Sequence, residues 1–384
     1  TVNEVEYTAE TINKVLGGIR LTKEQLSDFV GNECMTVLEV MKKIDRNTSG
    51  AFFIQDAKER LCGCITDGDI RRWILKAGDL KKPVSEVMNK APKYIFEEER
   101  YRADQVMKQG FITTLPVINS KRQVVDVIVL NKSMIFPEQN NRQTLASVPV
   151  VVMAGGMGTR LYPYTKILPK PLIPIGDTPI VEPIMDCFVE YGVKEFYMTV
   201  NYKKGMIKSY FNDSGKSYSI EYVEEPKTLG TGGSIKLIQK TFDKPLFVIN
   251  CDSIILADYS KVYEYHRKSD NAITMVSALK NITVPYGVIH SGENGEILSM
   301  EEKPNLSYFI NTGMYIINPE TIDLIPDDTV FHMTQLVDRV MENGGKVGMY
   351  PVSEDSFLDM GEFDEMKRME EALQKRESKG ENQV

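Results

Sequence analysis

The sequence lacks the features that mark several classes of protein. It has no run of about 18 apolar residues, so we expect no membrane-spanning helix. The first residues, TVNEVEYTAETINKV, contain neither a basic region nor an apolar stretch, so we expect no secretory signal. The formal net charge is −8, whereas nucleic-acid-binding surfaces usually carry a basic excess.

Cysteine is also scarce. The five cysteines are odd in number and their spacing fits no zinc module. Cys62 and Cys64 are two residues apart in an apolar run, so on a strand both would face one side, and we expect a buried, reduced pair. Scattered free thiols indicate a reducing cytoplasm.

Residues from about 21 to 136 contain a weak internal repeat. Each copy has an amphipathic helix, an apolar strand, a polar turn and a second apolar strand. The strands of the first copy are predicted at Ala51–Ile54 and Leu61–Ile65, and those of the second at Leu115–Ile118 and Val124–Leu130. The matching strands are about 63 residues apart. Two such copies should pack on each other, because one alone could not bury its apolar face.

A polar segment, residues 137–147, separates the repeat from a different pattern. VPVVVMAGG, from Val148, is a continuous apolar strand that runs into glycines, as expected for a strand buried on both faces. Four further buried strands, with helices between some of them, predict an α/β domain with a mainly parallel sheet. The strands are predicted at Glu195–Val200, Lys244–Asn250, Ala272–Leu279 and Lys346–Pro351, and the helices at Ile180–Tyr191, Gly232–Lys240 and Phe363–Lys375.

The segment AGGMGTRLYPYTKILPKP, residues 154–171, has the composition of a phosphate-binding loop. Gly155, Gly156 and Gly158 allow a sharp turn and a close approach to a ligand, and exposed N–H groups in such a loop form an anion nest. Arg160 and Lys170 add two cations suited to phosphate. The loop is neither GxxxxGK[ST] nor GxGxxG, so the sequence gives little support to a dinucleotide-dependent oxidoreductase.

GGMGTRLYPYTKILPKPLIPIGDTPIVE resembles the signature of the sugar nucleotidyltransferase family, GGxGTRLxPxTxxxPKPLxPxxxxPxxE. The resemblance implies a Rossmann-like catalytic domain at residues 148–376, followed by a tail at 377–384. It also implies transfer of a nucleoside monophosphate to a sugar 1-phosphate, with release of pyrophosphate. Because the sugar phosphate supplies the nucleophile, catalysis needs only positioning and charge neutralisation, for which Arg160 and Lys170 are the expected catalytic residues.

The resemblance assigns the two substrates to separate groups of residues. The nucleotide is expected against the first loop and a second glycine-rich turn, namely Ala154, Gly155, Gly156, Gly158 and Thr159, with Leu229, Gly230, Thr231 and Gly232. The sugar phosphate is expected at PYGVI, MEEKP and INTGMYII, through Gly287, Glu302, Lys303, Asn311, Thr312 and Gly313. Each segment, taken alone, is also compatible with an ordinary turn or helix start.

The resemblance also implies a magnesium site. Asp252 follows an apolar strand, where a carboxylate is costly unless something compensates its charge, and Asp359 lies in FLDMG. Mg²⁺ usually takes one or two carboxylates and completes its coordination with phosphate oxygens and water. Asp359 alone is also compatible with a turn or with a helix cap before Gly361, but the two aspartates together favour a metal site.

Residues 1–136, an N-terminal helical lead followed by the repeat, resemble a tandem CBS-domain module. The strand ending Ile65-Thr66-Asp67-Gly68-Asp69 matches the family's T-x-x-D, which implies an adenine-nucleotide site at Thr66 and Asp69. The second copy has Val129 and Lys132 instead, so one site is expected rather than two. A purely structural module remains the alternative. CBS pairs commonly associate face to face, so the resemblance also implies a homodimer.

The turn LGTGGS resembles that of guanylyltransferases more than that of thymidylyl- or uridylyltransferases, and this resemblance implies GTP as the nucleotide. A CBS pair ahead of such a catalytic domain resembles the glucosamine-1-phosphate guanylyltransferases of bacterial legionaminic acid synthesis. Mannose- and heptose-1-phosphate guanylyltransferases, and relatives that use UTP, CTP or dTTP, remain alternatives. A different class, a non-catalytic nucleotide-sensing subunit, is disfavoured because Arg160, Lys170, Asp252 and Asp359 are all present.

Overall fold

The computed structural model describes residues 21–47, 49–76, 78–110, 112–129 and 144–360. The chain divides into two compact units, Thr1–Asn140 and Asn141–Val384. Several predicted features lie outside the described residues: the N-terminal lead before residue 21, the end of the second repeat from Leu130 to Lys132, the helix Phe363–Lys375 and the tail. Within the described ranges, no helix combines the length and the apolar character needed to cross a membrane.

The N-terminal unit is built from two copies of one motif. In chain order its elements are α1 (Lys23–Leu26), β1 (Val30–Asn32), α2 (Val37–Asn47), β2 (Ala51–Gln55), β3 (Leu61–Thr66), α3 (Asp67–Leu75), β4 (Ile95–Phe96), α4 (Ala103–Gly110), β5 (Thr114–Ile118) and β6 (Val124–Val129). Strands β1, β2 and β3 form one sheet and β4, β5 and β6 another. In each sheet the first pair of strands is parallel and the second antiparallel.

The two copies share the detail of their hairpin turns. Asp56 Oδ1 accepts hydrogen bonds from the main-chain N–H groups of residues 58 and 60, at 2.8 and 2.9 Å. Asn119 Oδ1 accepts from residues 121 and 123, at 3.0 and 2.9 Å. The residue two positions before the second strand is left-handed in both turns, Glu59 at φ 60° and Arg122 at φ 64°. In each copy, a short carboxylate or amide side chain therefore stabilises the same type of turn.

The copies pack together through a common apolar core. Phe53 and Leu61 of the first copy and Ile118 and Val127 of the second belong to one buried cluster. The predicted internal repeat is confirmed by this pairing of strands and cores. Cys62 and Cys64 share a face of β3, as expected, but they are only half-buried, because alternate positions of that strand supply the buried face.

The C-terminal unit contains a seven-stranded sheet. Its described elements are β7 (Val150–Met153), α5 (Tyr164–Ile167), β8 (Pro174–Ile175), β9 (Thr178–Pro179), α6 (Val181–Val189), β10 (Glu195–Val200), α7 (Lys204–Asp213), β11 (Ser219–Glu224), α8 (Gly230–Gly233), β12 (Leu246–Asn250), β13 (Ser253–Ile255), α9 (Tyr259–Ser269), β14 (Ile273–Thr283), β15 (Val288–Ser291), β16 (Ile297–Glu301), β17 (Asn305–Ile317), α10 (Met333–Glu342), β18 (Val347–Val352) and β19 (Phe357–Asp359). The strand order is β11-β10-β7-β12-β17-β14-β18.

The predicted α/β class with a mainly parallel sheet is confirmed. Four of the six strand pairings are parallel, and the two antiparallel ones both involve β17. The central strands are buried on both faces because their alternate residues enter two different cores. Val150 and Val152 of β7 lie in one core, whereas Val151 and Met153 lie in the other.

Two boundaries differ from the predictions. Leu145, in the segment expected to be a linker, is 1% exposed and its N–H bonds to the Tyr191 carbonyl, so the folded unit includes it. The prediction of a helix over Gly232–Lys240 is wrong about its length. The helix is the single turn α8 followed by a 3₁₀ turn at Ser234–Leu237. Glycine at three of the four α8 positions disfavours the α-helix, and the extended backbone of Ile238 ends the helical segment.

Candidate active site

The first glycine-rich loop begins where the central strand β7 ends. Gly155 is buried, whereas Gly156 is exposed. Gly158 is left-handed at φ 67°, and a Cβ there would lie 2.8 Å from the Thr165 side chain and 3.0 Å from Lys170 Cβ. The third glycine therefore lets the chain turn back against the segment that carries Lys170. Arg160 follows in an exposed 3₁₀ turn, Thr159–Leu161.

Lys170 and Asp252 form an ion pair at the carboxyl end of the sheet. Lys170 Nζ donates to Asp252 Oδ2, and the two side chains are only 15% and 6% exposed. Burial lowers the pKa of Lys170, but the charges of Asp252 and Asp359 and the hydrogen bond to Asp252 outweigh it, so the pKa lies above its usual value. The adjacent Cys251 thiol is buried, and burial raises its pKa to about 12, so it remains protonated.

Asp359 is brought to this pair by a two-stranded antiparallel ribbon. Strand β13 pairs with β19, and Ser253 lies opposite Asp359. Ser253 Oγ donates to Asp359 Oδ1 at 3.2 Å, and the Met360 N–H bonds to the Asp252 carbonyl at 3.0 Å. Two predicted metal ligands that are far apart in the sequence therefore lie side by side.

The charges around Asp359 connect it to both expected catalytic cations. Burial and the neighbouring Asp252 raise the pKa of Asp359. Lys170, the Ser253 hydroxyl and Arg160 act in the opposite direction without cancelling the rise. Arg160 therefore acts electrostatically on the same carboxylate as Lys170, although it lies on an exposed turn.

Two neighbouring carboxylates suit a hard divalent cation such as Mg²⁺. Asp359 keeps a raised pKa despite two nearby cations, so an additional positive charge would be favourable there. Mg²⁺ is commonly held by one or two carboxylates, with phosphate oxygens and water as its other ligands. The residues present therefore fit the expected ion.

The second glycine-rich turn packs against the start of α10. Phe331, just before α10, forms main-chain hydrogen bonds with this turn. Its N–H donates to the Leu229 carbonyl, and its carbonyl accepts from the N–H groups of Gly232 and Gly233. Gly230 has φ 77°, and a Cβ there would lie 2.6 Å from the Phe331 oxygen. Thr231 Oγ1 accepts from Met333 N–H at 3.1 Å, beside His332.

The expected sugar-binding residues fall into two groups. Thr312 and Gly313 lie in a bulge of β17, where the register against β14 shifts, and Asn311 is the next paired residue, opposite Ser277. Gly313 has φ 79°, and a Cβ there would lie 2.3 Å from Asn250 Nδ2, so the bulge approaches the end of β12 just before Asp252. The Thr312 hydroxyl donates to the Val276 carbonyl at 2.7 Å, so its proton is already used in a hydrogen bond to the backbone.

The other group lies near β15 and β16, at the far end of the β14–β17 ribbon. A Cβ on Gly287 would lie 3.1 Å from Glu302 Oε2, so these two residues are neighbours. Lys303 is exposed and left-handed at φ 47°. Five residue pairs of the ribbon separate the pair Thr283–Asn305, next to this group, from the pair Ser277–Asn311.

Some residues of the site region were not found from the sequence. Glu225, which is 5% exposed, accepts a hydrogen bond from Leu229 N–H at 3.2 Å. Asn250 and His332 were also missed, because each depends on contacts between distant segments. Glu182, the last residue of the signature, serves the fold instead: it is 4% exposed, accepts from the Tyr210 hydroxyl at 2.8 Å and pairs with Lys216 at 2.9 Å.

Comparison with known proteins places this site in a family. A D-glycero-alpha-D-manno-heptose 1-phosphate guanylyltransferase from Campylobacter jejuni is 32% identical over 213 residues, which cover 55% of this chain and 93% of that protein. A UTP–glucose-1-phosphate uridylyltransferase from Synechocystis is 32% identical over 232 residues, covering 55% of this chain and 59% of that enzyme. A mannose-1-phosphate guanyltransferase from Debaryomyces hansenii is 34% identical over 186 residues, covering 46% and 51%.

The chain therefore spans little more than half the length of two of these three relatives. The model of the nucleotidyl transferase family matches residues 149–376, the region that carries both glycine-rich turns, Lys170, Asp252 and Asp359. The chain belongs to the nucleotidyl transferase family.

Proposed function

We propose that the C-terminal unit transfers GMP from GTP to a sugar 1-phosphate and releases pyrophosphate. Glucosamine 1-phosphate is the proposed sugar substrate, and the product would be a nucleotide sugar for surface glycan or nonulosonic acid synthesis. Mannose and heptose 1-phosphates are the alternatives. The observation that carries the proposal is the cluster of Lys170, Asp252 and Asp359 at the strand ends beside the first glycine-rich loop.

The cluster suits a reaction between two phosphate groups. One phosphate oxygen of the sugar 1-phosphate attacks the α-phosphorus of the nucleotide, the P–O bond to the β-phosphate breaks, and pyrophosphate leaves with its electron pair. The main barrier is electrostatic, because two anions must meet, so positioned cations supply much of the catalysis. Lys170, held by Asp252, would orient the attacking and α-phosphates, and Arg160 would stabilise charge on the departing pyrophosphate.

Asp252 and Asp359 are the proposed magnesium ligands. When bound, the ion would neutralise phosphate charge and hold the phosphates in line. Ser253, which donates to Asp359 Oδ1, would orient that carboxylate. The fit rests on the paired carboxylates and on the raised pKa of Asp359.

The preference for GTP is supported by two of the three relatives, which are guanylyltransferases. Because the third relative is a uridylyltransferase, UTP is the alternative nucleotide.

The N-terminal unit is proposed to be a CBS-domain pair that binds one adenine nucleotide and forms a homodimer. Two repeated sheets and their shared core support a tandem module. Thr66 and Asp69 lie at the start of α3, where Thr66 Oγ1 donates to Asp69 Oδ2 at 2.6 Å in a capping box. Asp69 also pairs with Arg72. A nucleotide would therefore compete with hydrogen bonds that already cap a helix.

The test is pyrophosphate release with Mg²⁺. Each of GTP, UTP, CTP, dTTP and ATP is paired with glucosamine, N-acetylglucosamine, mannose, heptose and glucose 1-phosphates, with and without AMP or ATP as effector. Turnover with GTP and glucosamine 1-phosphate supports the full proposal, and turnover with another pair keeps the chemistry but replaces the substrates. If no pair turns over, the non-catalytic sensing subunit becomes the better interpretation.

The same assay tests Arg160. Arg160→Ala should lower kcat by roughly 10²–10³, as expected for a lost donor to the transition state. Arg160 is exposed on a short turn, so the variant should fold normally. Near-normal turnover by the variant would contradict the assigned role.

A further inference from the structure

A short helix lies between the two expected catalytic cations in the sequence. Helix α5 begins four residues after Arg160 and ends three residues before Lys170. Thr165, in this helix, is 4% exposed, and a Cβ on Gly158 would lie 2.8 Å from its side chain. The last carbonyl groups of a helix have no partner within it. The position of α5 against the first glycine-rich loop therefore depends on contacts from elsewhere in the chain.

Two consecutive residues after β10 supply such contacts. The Tyr202 hydroxyl donates to the Thr165 carbonyl at 3.0 Å. Lys203 Nζ donates to the carbonyls of Lys166 and Ile167, at 2.5 and 2.7 Å. An ammonium suits the C-terminal end of a helix, where the carbonyl groups carry partial negative charge. Two neighbouring side chains thus hold three consecutive carbonyls of α5.

The backbone of Lys203 has an uncommon conformation. Its φ is 50°, in the left-handed region, and its Nζ lies 5.2 Å from the centroid of the Tyr202 ring. A residue other than glycine pays free energy for this conformation and keeps it only where the surrounding contacts fix it, often at functional sites. The next residue differs, because Lys204 is exposed and pairs with Glu224 on the surface.

We propose that Tyr202 and Lys203 are positioning residues for nucleotidyl transfer, which fix α5 and thereby the placement of Arg160 and Lys170. This inference rests on the proposed function, in which those two cations contact the reacting phosphates. Neither Tyr202 nor Lys203 needs to touch a substrate. Catalysis by placed charges is sensitive to displacements of about 1 Å, so loosening α5 should slow the reaction while both cations remain present.

The first experiment measures pyrophosphate release by the full chain and its variants. Lys203→Met keeps the side-chain length but removes the ammonium, and it should lower kcat by roughly 10- to 100-fold while KM for the nucleotide changes little. Tyr202→Phe should have a smaller effect in the same direction. Lys203→Arg should retain most of the activity, because a guanidinium can also donate to two carbonyls. The matched control, Lys204→Met, should behave as the wild type.

A double variant distinguishes positioning from general destabilisation. If Lys203 acts through the catalytic cations, Lys203→Met should lower kcat by a smaller factor in an Arg160→Ala background than in the wild type, because one of the groups that it positions is already absent. A purely structural role predicts the same factor in both backgrounds.

A second measurement needs no turnover. Trypsin cleaves after lysine, and the carbonyl of Lys166 is one of those that Lys203 holds. Cleavage after Lys166, identified by mass spectrometry under native conditions, should be faster in Lys203→Met by roughly 10-fold, as expected when a charge-assisted hydrogen bond no longer restrains that bond. Lys204→Met should be cleaved there at the wild-type rate.

Each outcome bears on one of the two proposals. Faster cleavage with a lowered kcat that depends on Arg160 supports the positioning role. Faster cleavage with unchanged kcat, or an equal factor in both backgrounds, reduces these contacts to a structural role and overturns the inference. Cleavage and kcat that match the wild type overturn it as well, while the proposed function stands. A wild type that releases no pyrophosphate with any substrate pair overturns the proposed function and this inference together.

Discussion

Replacement of Lys170 by Met should destabilise the metal-free protein. The ammonium neutralises Asp252, and both side chains are largely buried, at 15% and 6% exposure. Removing one partner of a buried pair leaves an uncompensated charge and costs about 3 kcal/mol. For a domain the size of the C-terminal unit, about 2–4 °C accompany each kcal/mol, so the melting temperature should fall by roughly 6–12 °C.

Magnesium should reverse most of this loss, because a dication can replace the missing ammonium beside Asp252 and Asp359. The assay is thermal unfolding of the full chain with EDTA and with millimolar Mg²⁺. Lys166→Met is the matched control, since it removes an exposed lysine from the same segment. The double variant Lys170→Met/Asp252→Asn should regain stability in EDTA, because both members of the pair lose their charge.

The pH dependence of the wild type follows from the same pair. The pKa of Lys170 in the folded protein is raised above its ordinary value of 10.5. Its contribution to stability is therefore complete below pH 10.5 and is lost as the pH rises through the raised pKa. A Lys170→Met variant that melts with the wild type in EDTA at pH 8 would refute the idea that this ammonium compensates a buried carboxylate.

Two further changes test the site. Asp359→Asn should raise the melting temperature in EDTA at neutral pH, because the raised pKa of Asp359 means that its ionised form costs free energy in the folded state. This gain should shrink as the pH falls through the raised pKa and should be absent below 3.8, where wild-type Asp359 is protonated in both the folded and the unfolded state. A gain that persists below that pH would contradict the explanation. Gly156→Ala should leave the melting temperature unchanged, since a Cβ there meets no atom within 4 Å, but it should weaken nucleotide binding measured by calorimetry. Unchanged binding would mean that the nucleotide does not approach this glycine.

The fold was predictable where the apolar pattern is local. Strand β10 occurs at the predicted Glu195–Val200, and β12 begins two residues later than predicted. The repeat of the N-terminal unit was also visible, because its turns use Asp56 and Asn119 at equivalent positions. These features could be predicted because each depends on residues that are close together in the sequence.

The antiparallel strand β17 was not predicted. Its sequence contains INTGMYII, whose glycine and polar residues are also compatible with a turn, and the structure accommodates them as a bulge within a long strand. The left-handed Gly313 and the Thr312 hydroxyl bonded to the Val276 carbonyl make this bulge possible. Pairing between distant strands decided the outcome, and that information is absent from a local pattern.

The site residues remain predictions, but their arrangement shows what a sequence can and cannot supply. Asp252 and Asp359 were paired through a resemblance, and the structure gives the physical cause of their proximity, the β13–β19 ribbon. Glu225 escaped notice because VEEP contains two glutamates and only folding distinguishes the buried one from the exposed one.

The β13–β19 ribbon has a consequence for the synthesis of the protein. Asp252 follows β12, the fourth strand of the large sheet in chain order, whereas Asp359 follows the last strand of that sheet. A nascent chain that has already emerged as far as Val352 can contain every strand of that sheet and both glycine-rich turns, yet it lacks one of the two carboxylates. Chains that terminate prematurely, or that a protease cuts before Phe357, should therefore keep the strands of the large sheet but lack Asp359, one of the two proposed magnesium ligands.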